Sequence, residues 1–344
     1  MKYPTSAIYY LKRFNQHIDD NFPNANNLAF LSRISIFVDC LKSLLFHGAT
    51  YTDYFAYNYR FLNKKGRNLY ITERRRDKIN NAFNPDLKER EIFDSKLNFY
   101  QRYSDYLGRE WLDFENISYD EFVAFIKRNP TFFVKDVRTF RGMGVYKHRF
   151  KADLMVDESN ESANSLFLKY KNDNDAYYVL EAPIVQKGVI SDLHPFSINT
   201  IRVVTLYDTN KDIVHIMSTM IRMGNNNNYR DNFHNGGIGA VIDKETGVIV
   251  SRGFDMYGNT YIYHPLTNKQ IVGTCIPYWE EVKKFSEEAA RLTPSVKYIG
   301  WDIVVNENGK LLLVEGNSSP DPDFQQLHYK GLWQDYKQLM KSVK

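Results

Sequence analysis

Apolar positions recur every three or four residues from Ala29 to Phe46, the spacing of an amphipathic helix. The aromatic-rich stretch Tyr51 to Tyr59 is expected to pack against it, and residues 1–92 read as a helical region. The run Arg74-Arg75-Arg76 reads as a solvated helix face. Residues 93–130 again suggest helices, with Ser118 as an N-cap before the acidic pair Asp120-Glu121. The pattern then turns to short apolar runs: Thr131 to Val137, Val145 onward, and Tyr177 to Val185, which Pro183 stops. Thr200–Tyr207 and Ile213–Arg222 predict a hairpin across Asp208–Asp212, and Gly237–Asp243 with Gly247–Val250 predict another. Ile276–Leu292 reads as an amphipathic helix, and a last helix is expected from about Phe324. There is no internal repeat. Helices followed by many antiparallel hairpins give an α+β class, divided as a helical region 1–92, a small lobe 93–185 and a large lobe 186–344.

The segment Ile299 to Asn317 holds the most specific chemistry. Two β-branched-rich runs flank Asn308-Gly309, the pair favoured in a two-residue type I′ turn. With that turn, Asp302 faces Glu315 on the neighbouring strand. Facing carboxylates have Cβ atoms about 4.5–5.5 Å apart and repel one another. A hard cation between them removes the conflict, and Asn317 on the same face adds an amide oxygen. Such donors suit Mg²⁺. The competing reading is a pair of solvated strand-end acids, and a one-residue slip would place the two on opposite faces.

Other positions join this pair. Lys135 interrupts a strand of Phe and Val and needs an anionic partner. The loop Gly142-Met143-Gly144 can lay backbone N–H groups over phosphate, or be a plain turn. Lys96 is a weaker candidate of the same kind. Glu181 closes an apolar strand at a hinge suited to adenine, or simply caps the strand. Arg202 and Arg222 share strand parity, so one sheet face carries both; they can clamp a phosphate or carboxylate, or form surface ion pairs. Asn199, Asn232 and Gly236 lie near the same strands as candidate substrate contacts. His194 and His234 have no identifiable partner and read as structural.

Composition sets outer bounds. The 344 residues suit two or three lobes, with 43% hydrophobic, 25% charged and 15% aromatic residues. A net charge of +4 does not indicate nucleic acid. Two cysteines without metal-type spacing fit a reducing compartment. No apolar stretch reaches the roughly 18 residues of a spanning helix, and the N-terminus lacks a secretory apolar core, so a cytoplasmic protein is expected.

In sequence order these segments are Phe133-Val-Lys-Asp136, Arg141-Gly-Met-Gly-Val145, Val179-Leu-Glu-Ala-Pro-Ile184, Ser197 to Thr205, Asp231 to Gly237, Ile299 to Asp302 and Glu315-Gly-Asn317. Together they resemble the ATP-grasp superfamily, and more closely the sugar-transfer-associated ATP-grasp family of bacterial polysaccharide loci, over about residues 30–325. The resemblance implies two α+β lobes clasping ATP. It implies Lys96 and Lys135 on the phosphates under residues 142–144, and Glu181, Ala182 and Ile184 around adenine. Arg202 and Arg222 would steady the transferred phosphoryl group, and Asp302, Glu315 and Asn317 would hold Mg²⁺. Where many relatives carry a ribose-binding carboxylate, this chain has Gln186. Its N-terminal region is also more helical than is common. The implied activity is an ADP-forming carboxylate–amine ligase acting on a sugar acid or amino acid, borne by a nucleotide sugar or glycan, alongside polysaccharide-assembly enzymes. A kinase on the same fold and a non-catalytic glycan-binding protein are the alternatives.

Overall fold

The computed structural model describes residues 30–139, 144–151, 156–157, 160–225, 236–255, 258–327 and 330–343. They belong to two compact units, 30–82 with 321–343, and 83–320.

The first unit is helical. Helix Phe30–His47 turns Ile36 and Cys40 into a core with Ala49, Tyr54, Phe55, Tyr57 and Tyr59. Thr50 and Asp53 form a capping box that starts helix Tyr51–Ala56. The C-terminal segment is part of this core and not of the large lobe expected for 186–344. Gln326 accepts from the Ile71 and Leu332 N–H groups at 2.7 and 3.1 Å, and Tyr57 donates to Asp323 at 2.6 Å. The expected single helix from Phe324 is two, Asp323–Gln326 and Trp333–Ser342. The arginine run is not simply solvated: Arg76 pairs with Asp321 at 2.8 Å and Arg75 lies over the Trp333 ring.

The second unit contains two antiparallel sheets. The smaller comprises β1 (Trp111–Asp113), β2 (Thr131–Asp136), β3 (Val145–Lys151), β4 (Val156–Asp157) and β5 (Tyr178–Glu181), in the order β1-β5-β2-β3-β4. The larger comprises β6 (Thr200–Asp208), β7 (Ile213–Met223), β8 (Ile238–Val241), β9 (Gly253–Phe254), β10 (Thr260–Tyr261), β11 (Tyr298–Val305) and β12 (Leu311–Asn317), in the order β10-β9-β8-β7-β6-β11-β12.

Local sequence explains most of this. Ser118 and Glu121 form a capping box for helix Tyr119–Arg128, which packs Phe122, Phe125 and Ile126 against Phe132 and Val134 of β2. Alternation in β2 sends Phe132 and Val134 into that core and Lys135 to the other face. In the larger sheet β6 and β11 are buried along their whole length, as expected of central strands covered on both faces. The expected second hairpin at 237–250 is reduced: Ile249 makes only an isolated bridge to Ile242. The three-residue strand β1, expected to be helical, escaped the reading because so short an element carries no period.

Candidate active site

Asp302 lies on β11 between two paired neighbours. Across β6 it faces Arg202, and across β12 it faces Glu315. The expected facing of Asp302 and Glu315 is therefore present, but the route to it differs. The turn is a three-residue loop, not a two-residue type I′ turn. Asn306 N–H reaches the Lys310 carbonyl at 2.9 Å, and Gly309 takes the left-handed conformation at φ 74°. This places Ile303 opposite Leu313, where the shorter turn would have placed Val314. A bulge at Val314 then restores the register, so Asp302 meets Glu315. Without the bulge Val314 would face Asp302 and Glu315 would point to the other side.

Arg202 and Arg222 converge on Asp302, as their parity implies. Arg202 Nε and Nη2 donate to the two carboxylate oxygens at 2.5 and 3.0 Å. Arg222 Nη2 donates to Oδ2, and its Nε donates to Thr200 at 3.1 Å. Burial would raise the Asp302 carboxyl, but the two guanidinium charges override it and hold it at about 2. Arg222 is the more open of the two, with 18% side-chain exposure against 10% for Arg202. Gly300 makes room for Arg202: a Cβ there would stand 3.2 Å from Nη1.

Glu315 and Asn317 are exposed, while Asp302 is fully buried. The surrounding protein and the repulsion of Asp302 push the Glu315 carboxyl up, against the pull of Arg222. Asn317 Oδ1 accepts from Ser319 N–H at 2.8 Å and retains a second lone pair. Among the described residues no group of three or more His, Cys, Asp or Glu side chains is arranged to hold a metal ion. The donor set is thus two adjacent carboxylates and an amide. It fits a hard divalent cation that keeps much of its water, with Glu315 and Asn317 as the accessible ligands. Asp302 serves first as the counter-ion of the arginines.

Lys96 begins helix Lys96–Arg102, and its ammonium donates to the Asp136 carbonyl at 3.0 Å and to that of Thr139. Burial draws its pKa down, with the Glu315 charge opposing this. It therefore stands between the acidic hairpin and the base of the glycine loop. Gly144 closes that loop at φ 63°, where its carbonyl accepts from Asp136 N–H at 2.8 Å. Gly142, Met143, Asn232 and His234 lie outside the described residues. Gly236, at φ 86°, has no described residue within 4 Å of where a Cβ would stand.

Lys135 and Glu181 meet at 2.7 Å, so the strand lysine has its anionic partner within the protein. Glu181 is also held bidentately by Arg109, at 3.0 and 3.1 Å. That corrects the expectation of a carboxylate offered to a nucleotide: this one is buried and occupied. Burial pushes the Glu181 carboxyl up and the Arg109 guanidinium down. Their mutual bonding opposes both, and a guanidinium keeps its proton, so the group is a charged trio. The Ala182 N–H is committed to the Glu110 carbonyl at 2.9 Å, which corrects its expected part in holding adenine, while Ile184 is half-buried.

Two further expectations are overturned. Gln186 brackets the Asn199 backbone, accepting at 2.9 Å and donating at 3.2 Å, instead of presenting its amide to a ribose. Asn199 is fully buried, and its amide donates to the carbonyls of Ile190 and His194 at 2.8 and 3.0 Å. It shapes the segment before β6 and is not a substrate contact. His194 is buried against Ser197 at 2.8 Å, in keeping with a structural role. Arg109 was missed by the sequence reading. Its only local signal is Gly108, which sits at φ 58° with a Cβ position 1.9 Å from Leu312 Cδ2.

The sequence matches the family described as sugar-transfer associated ATP-grasp over residues 115–341. The chain belongs to that family. No curated protein matches it. Among solved structures, it is similar to the ATP-grasp ligase PsnB complexed with minimal precursor, Mg and ADP. The two share 12% identity over 75% of this chain and 60% of that one, at a TM-score of 0.44. It is also similar to the D-alanine-D-alanine ligase from Coxiella burnetii, at 11% identity, 75% and 64% coverage and a TM-score of 0.40. A third is D-alanyl-alanine synthetase A from Vibrio cholerae, at 12% identity, 73% and 65% coverage and a TM-score of 0.41. The chain spans less than two thirds of the length of each. As a member of the sugar-transfer associated ATP-grasp family, it has the α+β fold its segments imply. No helix among the described residues is long and apolar enough to cross a membrane.

Proposed function

We propose that this protein is an ATP-dependent, ADP-forming carboxylate–amine ligase. The observation that carries the reading is the convergence of Arg202 and Arg222 on Asp302 beside an accessible Glu315, in a chain of an ATP-grasp family. A substrate carboxylate oxygen attacks the γ-phosphorus of ATP, and the bond to ADP breaks. An amine then displaces phosphate from the acyl phosphate to leave an amide. Both reactants of the first step are anionic, so the site must cancel their repulsion. Arg222, the more open guanidinium, would face the transferred group, with Asp302 as its anchor. Lys96 and Lys135 supply further positive charge. A Mg²⁺ held by Glu315 and Asn317, next to Asp302, would neutralise the terminal phosphates. The glycine loop 142–144 would cover them, and Ile184 would border the adenine. No side chain need act as a nucleophile.

The description of the family supports a sugar-linked substrate. We infer a uronic or amino acid carboxylate on a nucleotide sugar or glycan, joined to an amine in surface polysaccharide assembly in the cytoplasm. The test is incubation with ATP, Mg²⁺, a panel of sugar acids and mixed amines. A ligase yields ADP, inorganic phosphate and a product with the mass of an amide. Labelled γ-phosphate retained in an organic product would instead identify a kinase, and a protein that binds glycan but no Mg-ATP would be neither.

A further inference from the structure

Glu181 has more cationic partners than one buried carboxylate requires, and the two cations differ. Arg109 is almost fully enclosed, with 2% side-chain exposure, and each of its five N–H groups has an acceptor. Nε and Nη2 hold Glu181; Nη1 donates to the carbonyls of Leu107 and Leu313 at 3.0 and 2.7 Å; Nη2 also reaches Tyr100 Oη at 3.4 Å. The guanidinium lies over the Tyr100 ring as well. It cannot move without breaking all of these. Lys135, on its flexible stem, is the accessible member at 17% exposure. Gly108 allows the close approach to β12 that places Arg109 between the sheets. Leu313, whose carbonyl receives Arg109, immediately precedes the bulge that delivers Glu315 to Asp302.

We propose that Arg109 is a positioning residue: it keeps Glu181 permanently satisfied, so that Lys135 can leave that carboxylate and turn to the nucleotide's phosphates. A buried carboxylate with one cation would retain it; one with two can release the mobile partner without being stranded. The inference rests on the nucleotide reading of the site given above. It predicts that Arg109, which presents no donor to ATP, nevertheless sets the affinity for ATP. It also ties phosphate binding in the small sheet to the strand that carries Glu315.

The experiment is a calorimetric titration of the full chain with Mg-ATP, with the thermal midpoint of each variant measured alongside. Arg109→Met is expected to weaken binding about tenfold or more, the scale of one charge-assisted hydrogen bond. Adding Glu181→Gln to it should restore most of the loss, because a neutral amide no longer competes for Lys135. A merely structural arginine would lower the midpoint and leave the dissociation constant of the folded protein unchanged, and that result overturns the proposal. So does a double variant as weak as the single one. If Arg109→Met does not fold, Arg109→Lys carries the test: it keeps the charge but loses the fork, and should show a smaller weakening that Glu181→Gln again relieves. A wild-type chain that binds no Mg-ATP removes the nucleotide reading itself, and this inference with it. A wild-type chain that binds, with an unaffected Arg109→Met, removes only the role of Arg109.

Discussion

Two buried carboxylates in this protein each face two cations, and they are arranged for different ends. Asp302 is gripped by Arg202 and Arg222 and held at about 2. Beside it stands an exposed acid, Glu315, whose carboxyl is pushed the other way. Glu181 is gripped by Arg109 and Lys135 and has no second acid paired across the sheet, since its strand partners are Trp111 and Phe133. The first arrangement offers cationic and anionic groups side by side at an open face. The second encloses its charges and leaves only the lysine near the surface. The same grip of two cations on one carboxylate thus gives a site that gathers ligands in one place and a store for a mobile cation in the other. What separates them is the neighbour on the next strand and the exposure of one member.

Removing Asp302 should have the largest effect. Asp302→Asn leaves two guanidinium groups around a neutral amide, and breaking such a buried set costs about 3–5 kcal/mol. A urea titration should show the loss, together with loss of ADP formation. A variant as stable as the wild type would mean that Asp302 is not the arginines' anchor. Glu315→Gln should separate the two neighbours. It relieves repulsion, so stability stays equal or rises slightly. ADP formation in saturating Mg²⁺ should nevertheless fall about a hundredfold, the scale of a removed electrostatic contact to the reacting phosphates. A near wild-type rate would count against Glu315 as the cation ligand. Lys135→Ala should act on the other cluster, weakening ATP binding about tenfold in a titration; unchanged binding would deny the lysine its phosphate role.

Acid should separate the two carboxyls of the first cluster with the smallest perturbation. Glu315 has a folded pKa above its ordinary 4.5, so it takes up a proton first as pH falls, and protons then compete with the cation. Asp302 has a folded pKa below its ordinary 3.8, so its stabilisation is present above that value and is lost only as pH falls through about 2. Mg²⁺ dependence measured from about pH 7 to about pH 4 should therefore weaken while the urea midpoint still retains the Asp302 contribution. Parallel loss of both would show that the two carboxyls titrate as one unit.

The sequence alone determined the class of fold, the central strands, and most of the groups that meet at the site. Those features are encoded locally. Alternation placed Lys135 opposite its core neighbours, and equal parity placed Arg202 and Arg222 on one face. The facing of Asp302 and Glu315 was also anticipated, though through two departures that cancel: a longer turn and a bulge at Val314. Neither has a strong local signature, because the backbone pairing of β12 with β11 decides them. Only the tertiary structure showed that Asp302 is first an anchor for arginines, that Gln186 and Asn199 hold each other's segments, and that Glu181 is enclosed. It alone brought Arg109 to the small sheet, across 72 residues of chain to Glu181 and 204 to Leu313. Hydropathy and spacing report which face a side chain leaves from. Which distant charge it meets depends on how the sheets pack, and once water is excluded that meeting governs the side chain's charge and reactivity.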